Sequence, residues 1–172
     1  MVHEMANEGS IDWRRVSWLL TDVDGVLTDG RIYAADQGGF CKAFSTKDGL
    51  AIKRWIDAGI GMVWISGHAS LGVERRAREL GVSHLFQGVD DKRSLAERFF
   101  FDHRIDPADV AYVGDDLSDL PVMRIVGLPI AVADAVEELL PAARYITAKI
   151  GGQGAIREVV ERVMRAKGIW SV

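Results

Sequence analysis

Short apolar segments alternate with amphipathic segments along this chain. Most of the apolar segments have hydrophobic residues at consecutive positions, which is typical of strands buried on both faces of a parallel sheet. They are VSWLL (16–20), GMVWI (61–65), HLF (84–86), VAYVG (110–114), LPIAV (128–132) and a weaker YIT (145–147). The alternation predicts an α/β fold, a doubly wound, Rossmann-like parallel sheet with helices on both faces.

The amphipathic segments predict the helices that connect these strands. We expect Asp48 to cap the first helix, which ends at Gly59, and the second helix to end at Gly81. Another helix follows GGQG (151–154). The apolar faces are Ile52, Trp55 and Ile56 in the first helix, Val73, Ala77 and Leu80 in the second, and Ala155, Ile156, Val159, Val160, Val163 and Met164 in the last.

Residues 30–44, GRIYAADQGGFCKAF, interrupt the alternation. They read as two short strands joined by a turn at residues 36–39, and therefore as a β-hairpin inserted between the first strand and the first helix. Repeats, low-complexity tracts and linkers are absent from the sequence. We therefore expect a single domain over residues 1–172, with its core at about 16–165.

Composition excludes several classes of protein. The formal net charge of -4 gives no reason to expect nucleic acid as a partner, and the basic cluster at residues 75–78 is flanked by glutamates, as on a solvated helix face. No apolar stretch approaches the roughly 20 residues that cross a bilayer, and residues 1–15 do not resemble a secretory signal. A lone Cys41 excludes an internal disulfide. We expect a cytoplasmic protein without a membrane partner.

Polar residues follow the apolar segments at the positions where ligands bind in open α/β sheets, beyond the carboxyl ends of the strands. Four separate segments thereby bring polar groups to one edge of the predicted sheet. These residues are Asp22 and Asp24, then Ser66, then Lys92, and finally Asp115, Asp116 and Asp119.

The acidic groups at this edge require compensation of their charge. In an extended segment Asp22 and Asp24 share a face. Unit charges 4 Å apart interact by ~4 kcal/mol at an effective dielectric of 20, so protons or a divalent cation must neutralise the cluster. A ligand set made only of oxygen favours Mg²⁺. Ser66, the Gly67 backbone N–H and Lys92 could bind phosphoryl oxygens, although Ser66 alone could be a helix cap and Lys92 alone a surface residue.

Five motifs resemble the haloacid dehalogenase superfamily of phosphohydrolases, in its branch that lacks a cap domain. They are DVDGVLTDG (22–30), FSTKDGLAIK (44–53), AYVGDDLSDLPVM (111–123), AVADA (131–135) and GGQGAIREV (151–159), and the resemblance covers residues 16 to 165. It implies a phosphatase in which Asp22 is the nucleophile and Asp24 the general acid and base. Ser66 and Lys92 would then hold the phosphoryl group.

The resemblance also implies a Mg²⁺ site and a substrate class. Asp22, the Asp24 backbone carbonyl and Asp115 would bind the metal, with Asp116 and Asp119 in support. The substrate would be an eight-carbon 2-keto-3-deoxy sugar-acid phosphate, with a place in lipopolysaccharide biosynthesis. The implied substrate-binding residues are Asp24, Ser45, Thr46, Lys47, Asp48, Gly49, Lys53, Gly67, His68 and Arg76.

One position departs from this pattern. Enzymes for the eight-carbon substrate usually carry Arg where this chain has His68, and a neutral imidazole cannot replace a permanently charged, bidentate guanidinium. A nine-carbon sugar-acid 9-phosphate is therefore an alternative substrate.

The resemblance further implies a homotetramer in which hairpins from several subunits assemble, whereas the hairpin could also pack on its own domain. Two other functions stay open. A phosphoacceptor signalling domain has a similar acidic pocket but no need of an acid and base at Asp24. A non-catalytic relative with vestigial hydrolysis would not need the complete set of catalytic positions found here.

Overall fold

A computed structural model describes residues 11–34 and 40–170 of the chain. The strands are β1 (Trp18–Asp22), β2 (Tyr33–Ala34), β3 (Phe40–Cys41), β4 (Gly61–Ser66), β5 (His84–Gln87), β6 (Val110–Gly114), β7 (Leu128–Ala131) and β8 (Tyr145–Ile146). The α-helices are α1 (Thr46–Asp57), α2 (Leu71–Leu80), α3 (Lys92–His103), α4 (Leu120–Met123) and α5 (Ala155–Ala166). Short 3₁₀ helices cover Trp13–Arg15, Pro107–Asp109 and Glu137–Ala142. Within the described residues, no helix is both long enough and apolar enough to span a bilayer.

Six strands form one parallel sheet in the order β5-β4-β1-β6-β7-β8. The chain starts at the central strand β1, moves outward through β4 and β5, and then returns to the other side of β1 as β6. This reversal creates a switch point at the carboxyl end of β1, where ligands bind in doubly wound folds. The predicted doubly wound α/β fold is confirmed.

Hydrophobic cores cover both faces of the sheet, because successive strand residues point to opposite sides. Leu19 packs with the side chains of α1, α2 and α5, whereas the next residue, Leu20, packs with those of α3 and α4. In the same way Trp64 faces the first core and Val63 the second. The consecutive apolar positions of the sequence therefore arise from a sheet buried on two sides, as predicted.

The ends of two predicted elements differ from the expectation. The first strand is displaced toward its carboxyl end and includes Asp22 as its last residue. Ser45, not Asp48, is the N-cap of α1, because its hydroxyl accepts the Asp48 backbone N–H at 3.2 Å. Asp48 lies inside the first turn of the helix, and α1 ends at Asp57, just before Gly59. The predicted end of α2 is confirmed, with Gly81 in the left-handed region at φ 82.

The inserted hairpin is confirmed by the antiparallel pairs Tyr33 with Cys41 and Ala34 with Phe40. Its predicted turn at residues 36–39 lies outside the described residues. In the described parts of the connection from β1 to α1, residues 23–34 and 40–45, the hairpin is present and no cap domain is. Ile32, Tyr33 and Phe40 are exposed at 51%, 50% and 67%. Phe44, by contrast, stacks on Trp64 of its own sheet.

Candidate active site

The carboxyl end of β1 supplies two carboxylates that point away from the core. Asp22 ends the strand and Asp24 follows two residues later, while Val23 between them is fully buried. Asp22 is almost completely buried, but the Asp24 side chain retains 25% of its exposure. The two acids therefore lie at different depths of one site.

Lys92 joins this pair to the loop that follows β6. It is the first residue of α3, and its side chain is only 4% exposed. Its ammonium donates to Asp22 Oδ1 at 2.8 Å and to Asp119 Oδ1 at 2.7 Å. A lysine so deeply buried between two carboxylates is not a surface residue, so the alternative interpretation of Lys92 given by the sequence is wrong.

Asp119 organises the loop after β6 with both of its oxygens. Its Oδ1 accepts from Lys92 and from the Tyr112 hydroxyl, the latter at 2.6 Å. Its Oδ2 accepts the backbone N–H groups of Asp115 and Asp116 at 2.9 and 3.3 Å. With both oxygens bonded in this way, Asp119 supports its neighbours and has little capacity left to bind a metal.

Asp115 faces the β1 loop without such support. Its Oδ1 is buried and has no hydrogen-bond partner. Gly25, at φ +87, permits the close approach, since a Cβ atom at this position would overlap the Asp115 carboxylate. Asp116 is exposed and its carboxylate accepts the Leu117 backbone N–H at 2.6 Å, so it turns away from this cluster.

The charges of this cluster are not balanced by protein groups. Burial raises the pKa of Asp22 to about 6, the Asp119 charge raises it further, and Lys92 opposes both effects. Burial and the Asp22 and Asp119 charges raise the pKa of Asp115 to about 8. The pKa of Lys92 is raised as well, because the attraction of Asp119 and Asp22 exceeds the opposing effect of burial. These three pKa shifts are consistent with one another, because the cluster contains three carboxylates and the one ammonium of Lys92, which bonds to Asp22 and Asp119.

The cluster has the chemistry of a divalent cation site. Carboxylate oxygens of Asp22, Asp115 and Asp119 lie within 4.8 Å of one another. The unpartnered Asp115 oxygen and the raised pKa values of Asp22 and Asp115 show that positive charge would be stabilised at this position. Hard oxygen donors of this kind suit Mg²⁺.

Ser66, the last residue of β4, borders Asp24. Its hydroxyl lies 3.2 Å from Asp24 Oδ2 and accepts the His68 backbone N–H at 3.1 Å. It does not cap a helix, since the N-cap of α2 is Ser70. Gly67 and His68 are exposed, and the His68 Nδ1 atom is 3.9 Å from Asp24 Oδ2.

The remaining residues of the predicted substrate-binding set lie on α1 and α2. Thr46, Lys47 and Lys53 are exposed, and Gly49 gives room to Arg76, whose guanidinium would overlap a Cβ atom there. Ser45 is committed to its cap.

Asp48 is buried away from solvent. It accepts the backbone N–H groups of Gly154 at 3.1 Å and Arg157 at 2.7 Å. Its carboxylate is thus bonded to the start of α5 rather than pointing to the β1 loop, which corrects the expectation that it faces a substrate.

Two residues of the site, Lys42 and Tyr112, were not predicted from the sequence. Lys42, on the hairpin, places its ammonium 2.6 Å from Asp24 Oδ1 and has a side chain only 5% exposed. Tyr112 lies in the apolar segment of β6 and is fully buried. A tyrosine in such a segment requires a partner for its hydroxyl, and that requirement is the signal that could have found it.

The fold and this cluster of acids and lysine agree with a comparison to known families. Residues 86–158, which include Lys92, Asp115 and Asp119, match the family of haloacid dehalogenase-like hydrolases. The class of protein is therefore a hydrolase of this type, which argues against a phosphoacceptor signalling domain.

Similar proteins define the family more closely. The 3-deoxy-D-manno-octulosonate 8-phosphate phosphatase of Yersinia pestis is 45% identical over 149 residues, 87% of this chain and 80% of the relative. A crystal structure of the Yersinia pestis enzyme has a TM-score of 0.89 at 42% identity and covers 92% of this chain and 85% of its own. That of the Moraxella catarrhalis enzyme, in complex with magnesium, phosphate and KDO, has a TM-score of 0.89 at 38% identity, with coverages of 92% and 91%. This chain belongs to the 3-deoxy-D-manno-octulosonate 8-phosphate phosphatase family, which confirms the resemblance read from its motifs.

Proposed function

We propose that this protein is a Mg²⁺-dependent phosphatase that hydrolyses 3-deoxy-D-manno-octulosonate 8-phosphate through an aspartyl-phosphate intermediate. The observation that carries the proposal is the meeting of Asp22, Lys92 and Asp115 beside Asp24. The 45% identity to enzymes of this activity supports the substrate.

In the first step an Asp22 oxygen attacks phosphorus. A bond forms from Asp22 to phosphorus while the bond from phosphorus to the sugar oxygen breaks, and the departing alkoxide takes a proton from Asp24. Lys92 holds Asp22 at 2.8 Å and reduces its repulsion from the incoming phosphate dianion. Ser66 and the Gly67 backbone N–H donate to the phosphoryl oxygens.

In the second step water attacks the phosphorus of the aspartyl phosphate. Asp24, now a carboxylate, takes a proton from that water, and the bond from phosphorus to Asp22 breaks to release inorganic phosphate. Asp24 suits both roles because it lies near the nucleophile yet remains partly exposed to solvent.

Mg²⁺ would be held by the carboxylates of Asp22 and Asp115 and the backbone carbonyl of Asp24. When bound, it supplies positive charge that orients the phosphate and stabilises the transition state. Asp119 supports this loop by accepting the Asp115 and Asp116 backbone N–H groups, and Asp116 supports it by accepting the Leu117 backbone N–H.

Lys53 and Arg76 carry the positive charge that would recognise the carboxylate of the sugar acid, together with the exposed side chains of Thr46 and Lys47. His68 is the observation that favours a second candidate, the nine-carbon 2-keto-3-deoxy sugar-acid 9-phosphate. At 76% exposure its ring is free to contact a substrate above Asp24.

The exposed hairpin supports a homotetramer in which Ile32, Tyr33 and Phe40 are covered by other subunits. We also propose that the protein acts in the cytoplasm, in lipopolysaccharide biosynthesis, and that residues 1–172 form one domain.

The test is phosphate release from a panel of phosphosugars with Mg²⁺. We expect the highest kcat/KM on the eight-carbon acid phosphate and a loss of at least about 1,000-fold in Asp22→Asn. Asp57→Asn, an exposed aspartate at the end of α1, is the matched control and should retain full activity. Near wild-type turnover by Asp22→Asn would exclude the covalent mechanism. Absence of turnover on every sugar phosphate would instead favour a relative with vestigial hydrolysis.

A further inference from the structure

Lys42 is buried although the hairpin around it is not. Its side chain is 5% exposed, whereas Cys41 and Ala43 on either side are exposed. The ammonium contacts both oxygens of Asp24, at 2.6 Å to Oδ1 and 2.8 Å to Oδ2. Burial of a lysine is costly unless its charge is compensated, and Asp24 provides that compensation. The hairpin is therefore tied to the site by this one side chain.

Each of the two lysines serves a different carboxylate. Lys92, at the start of α3, binds the buried Asp22, whereas Lys42, on the hairpin, binds the partly exposed Asp24. Among the described residues, the acidic cluster whose oxygens lie within 4.8 Å of one another contains Asp22, Asp115 and Asp119 but not Asp24. The Asp24 carboxylate is thus kept apart from the group that would hold a cation.

This separation is what the reaction requires of Asp24. An acid that protonates a leaving group must be able to reach the leaving oxygen, and a carboxylate drawn into the metal cluster would be held away from that oxygen. Ser66 lies 3.2 Å from Oδ2 alone, whereas Lys42 reaches both oxygens and so fixes the plane of the carboxylate.

We propose that Lys42 is a positioning residue of the phosphatase reaction, which holds the Asp24 side chain toward the leaving group and away from the metal cluster. The inference rests on the proposed function. It makes the hairpin part of the active site of its own subunit.

The experiment compares two substrates that need a general acid to different degrees. The sugar alkoxide of an octulosonate 8-phosphate must be protonated as it leaves, whereas the phenolate of p-nitrophenyl phosphate leaves without a proton. We expect Lys42→Met to lower kcat/KM about 10- to 100-fold on the sugar phosphate and less than about threefold on p-nitrophenyl phosphate. The ratio of the two losses in kcat/KM, on the sugar phosphate and on p-nitrophenyl phosphate, reports the effect of Lys42 on departure of the leaving group.

A double-mutant cycle with Asp24→Asn identifies the route of the effect. If Lys42 acts through Asp24, adding Lys42→Met to Asp24→Asn causes no further loss on the sugar phosphate. Arg31→Met, which removes an exposed cation from residues next to the hairpin strands, is the matched control and should leave both substrates unaffected. Should Lys42→Met not fold, Lys42→Gln is measured in the same way and the same ratio decides.

Two results would overturn the inference. One is an equal loss on both substrates, which indicates that Lys42 only anchors the hairpin. The other is a full additional loss in the double variant. The Asp22→Asn variant distinguishes failure of the Lys42 inference from failure of the proposed function. If Asp22→Asn is inactive on both substrates, the phosphatase mechanism stands whatever the result for Lys42.

Discussion

The Tyr112 hydroxyl donates to Asp119 Oδ1 at 2.6 Å, and neither side chain has any contact with solvent. The same oxygen accepts the Lys92 ammonium, which in turn holds Asp22. Tyr112 therefore lies at the start of a chain of hydrogen bonds that ends at the nucleophile. Because these hydrogen bonds are all buried, removal of one donor weakens or displaces the other bonds.

We predict that Tyr112→Phe lowers both stability and turnover. Loss of a buried hydrogen bond to a charged group costs about 1.5–3 kcal/mol of unfolding free energy, and displacement of Lys92 lowers kcat about tenfold. Urea denaturation and steady-state kinetics measure the two effects. Tyr145→Phe is the control, since its hydroxyl bonds to Glu158, and it should lose stability with kcat unchanged. An unchanged kcat in Tyr112→Phe would show that Asp119 orients Lys92 without the tyrosine.

Gly25→Ala should strongly reduce activity for two physical reasons. The position has φ +87, which L-residues rarely adopt, and the added methyl group would overlap the Asp115 carboxylate. We expect a loss of kcat/KM of at least about 100-fold, together with weaker Mg²⁺ binding.

Gly59→Ala separates backbone strain from displacement of the carboxylate. Gly59 also has a positive φ of +72, but a Cβ atom there meets nothing within 4 Å. Its substitution should cost about 1 kcal/mol of stability and leave the kinetics unchanged. Equal activity of the two variants would mean that Asp115 tolerates displacement.

The metal-free protein should lose stability as the pH rises. Asp22 and Asp115, with pKa values raised to about 6 and about 8, bind protons more tightly when folded than when unfolded. Since the folded state holds more protons between pH 4 and 8, the unfolding free energy decreases across that range. Mg²⁺ replaces those protons, so the increase in Tm that it causes should grow from pH 6 to pH 8. Asp115→Asn should remove most of this pH dependence, and thermal melts with and without Mg²⁺ at each pH provide the measurement.

His68→Arg should improve the eight-carbon substrate. A guanidinium above Asp24 can bind a carboxylate or phosphate with two hydrogen bonds, which an imidazole cannot do. We expect KM for the eight-carbon acid phosphate to fall about tenfold relative to the nine-carbon one, with kcat little changed. Ser83→Arg adds the same charge at an exposed site elsewhere and should alter neither KM. Equal KM changes for both substrates would show that residue 68 does not discriminate between them.

The sequence predicted the parts of this molecule that depend on local pattern. Consecutive apolar residues identified the strands, and the polar residues at their carboxyl ends lie where the parallel sheet brings them together. Lys42 could not be found in this way, because it follows a strand of only two residues and reaches its partner Asp24 only through the fold of the hairpin. The N-cap residue of α1 could not be predicted from the local sequence either. Both Ser45 and Asp48 are good capping residues, and the choice is decided by α5, whose start lies more than 100 residues further along the chain.

We predict that Asp48 stabilises the fold and does not bind substrate. Its carboxylate joins α1 to the N-terminus of α5 through the backbone N–H groups of Gly154 and Arg157. Asp48→Ala leaves those donors unpaired and should cost about 1–3 kcal/mol of unfolding free energy. Lys53→Met, at an exposed position of the same helix, should raise KM for the sugar acid with stability unchanged. If Asp48→Ala instead raised KM at constant stability, the residue would bind substrate and the GGQG loop before α5 would have to move when substrate enters.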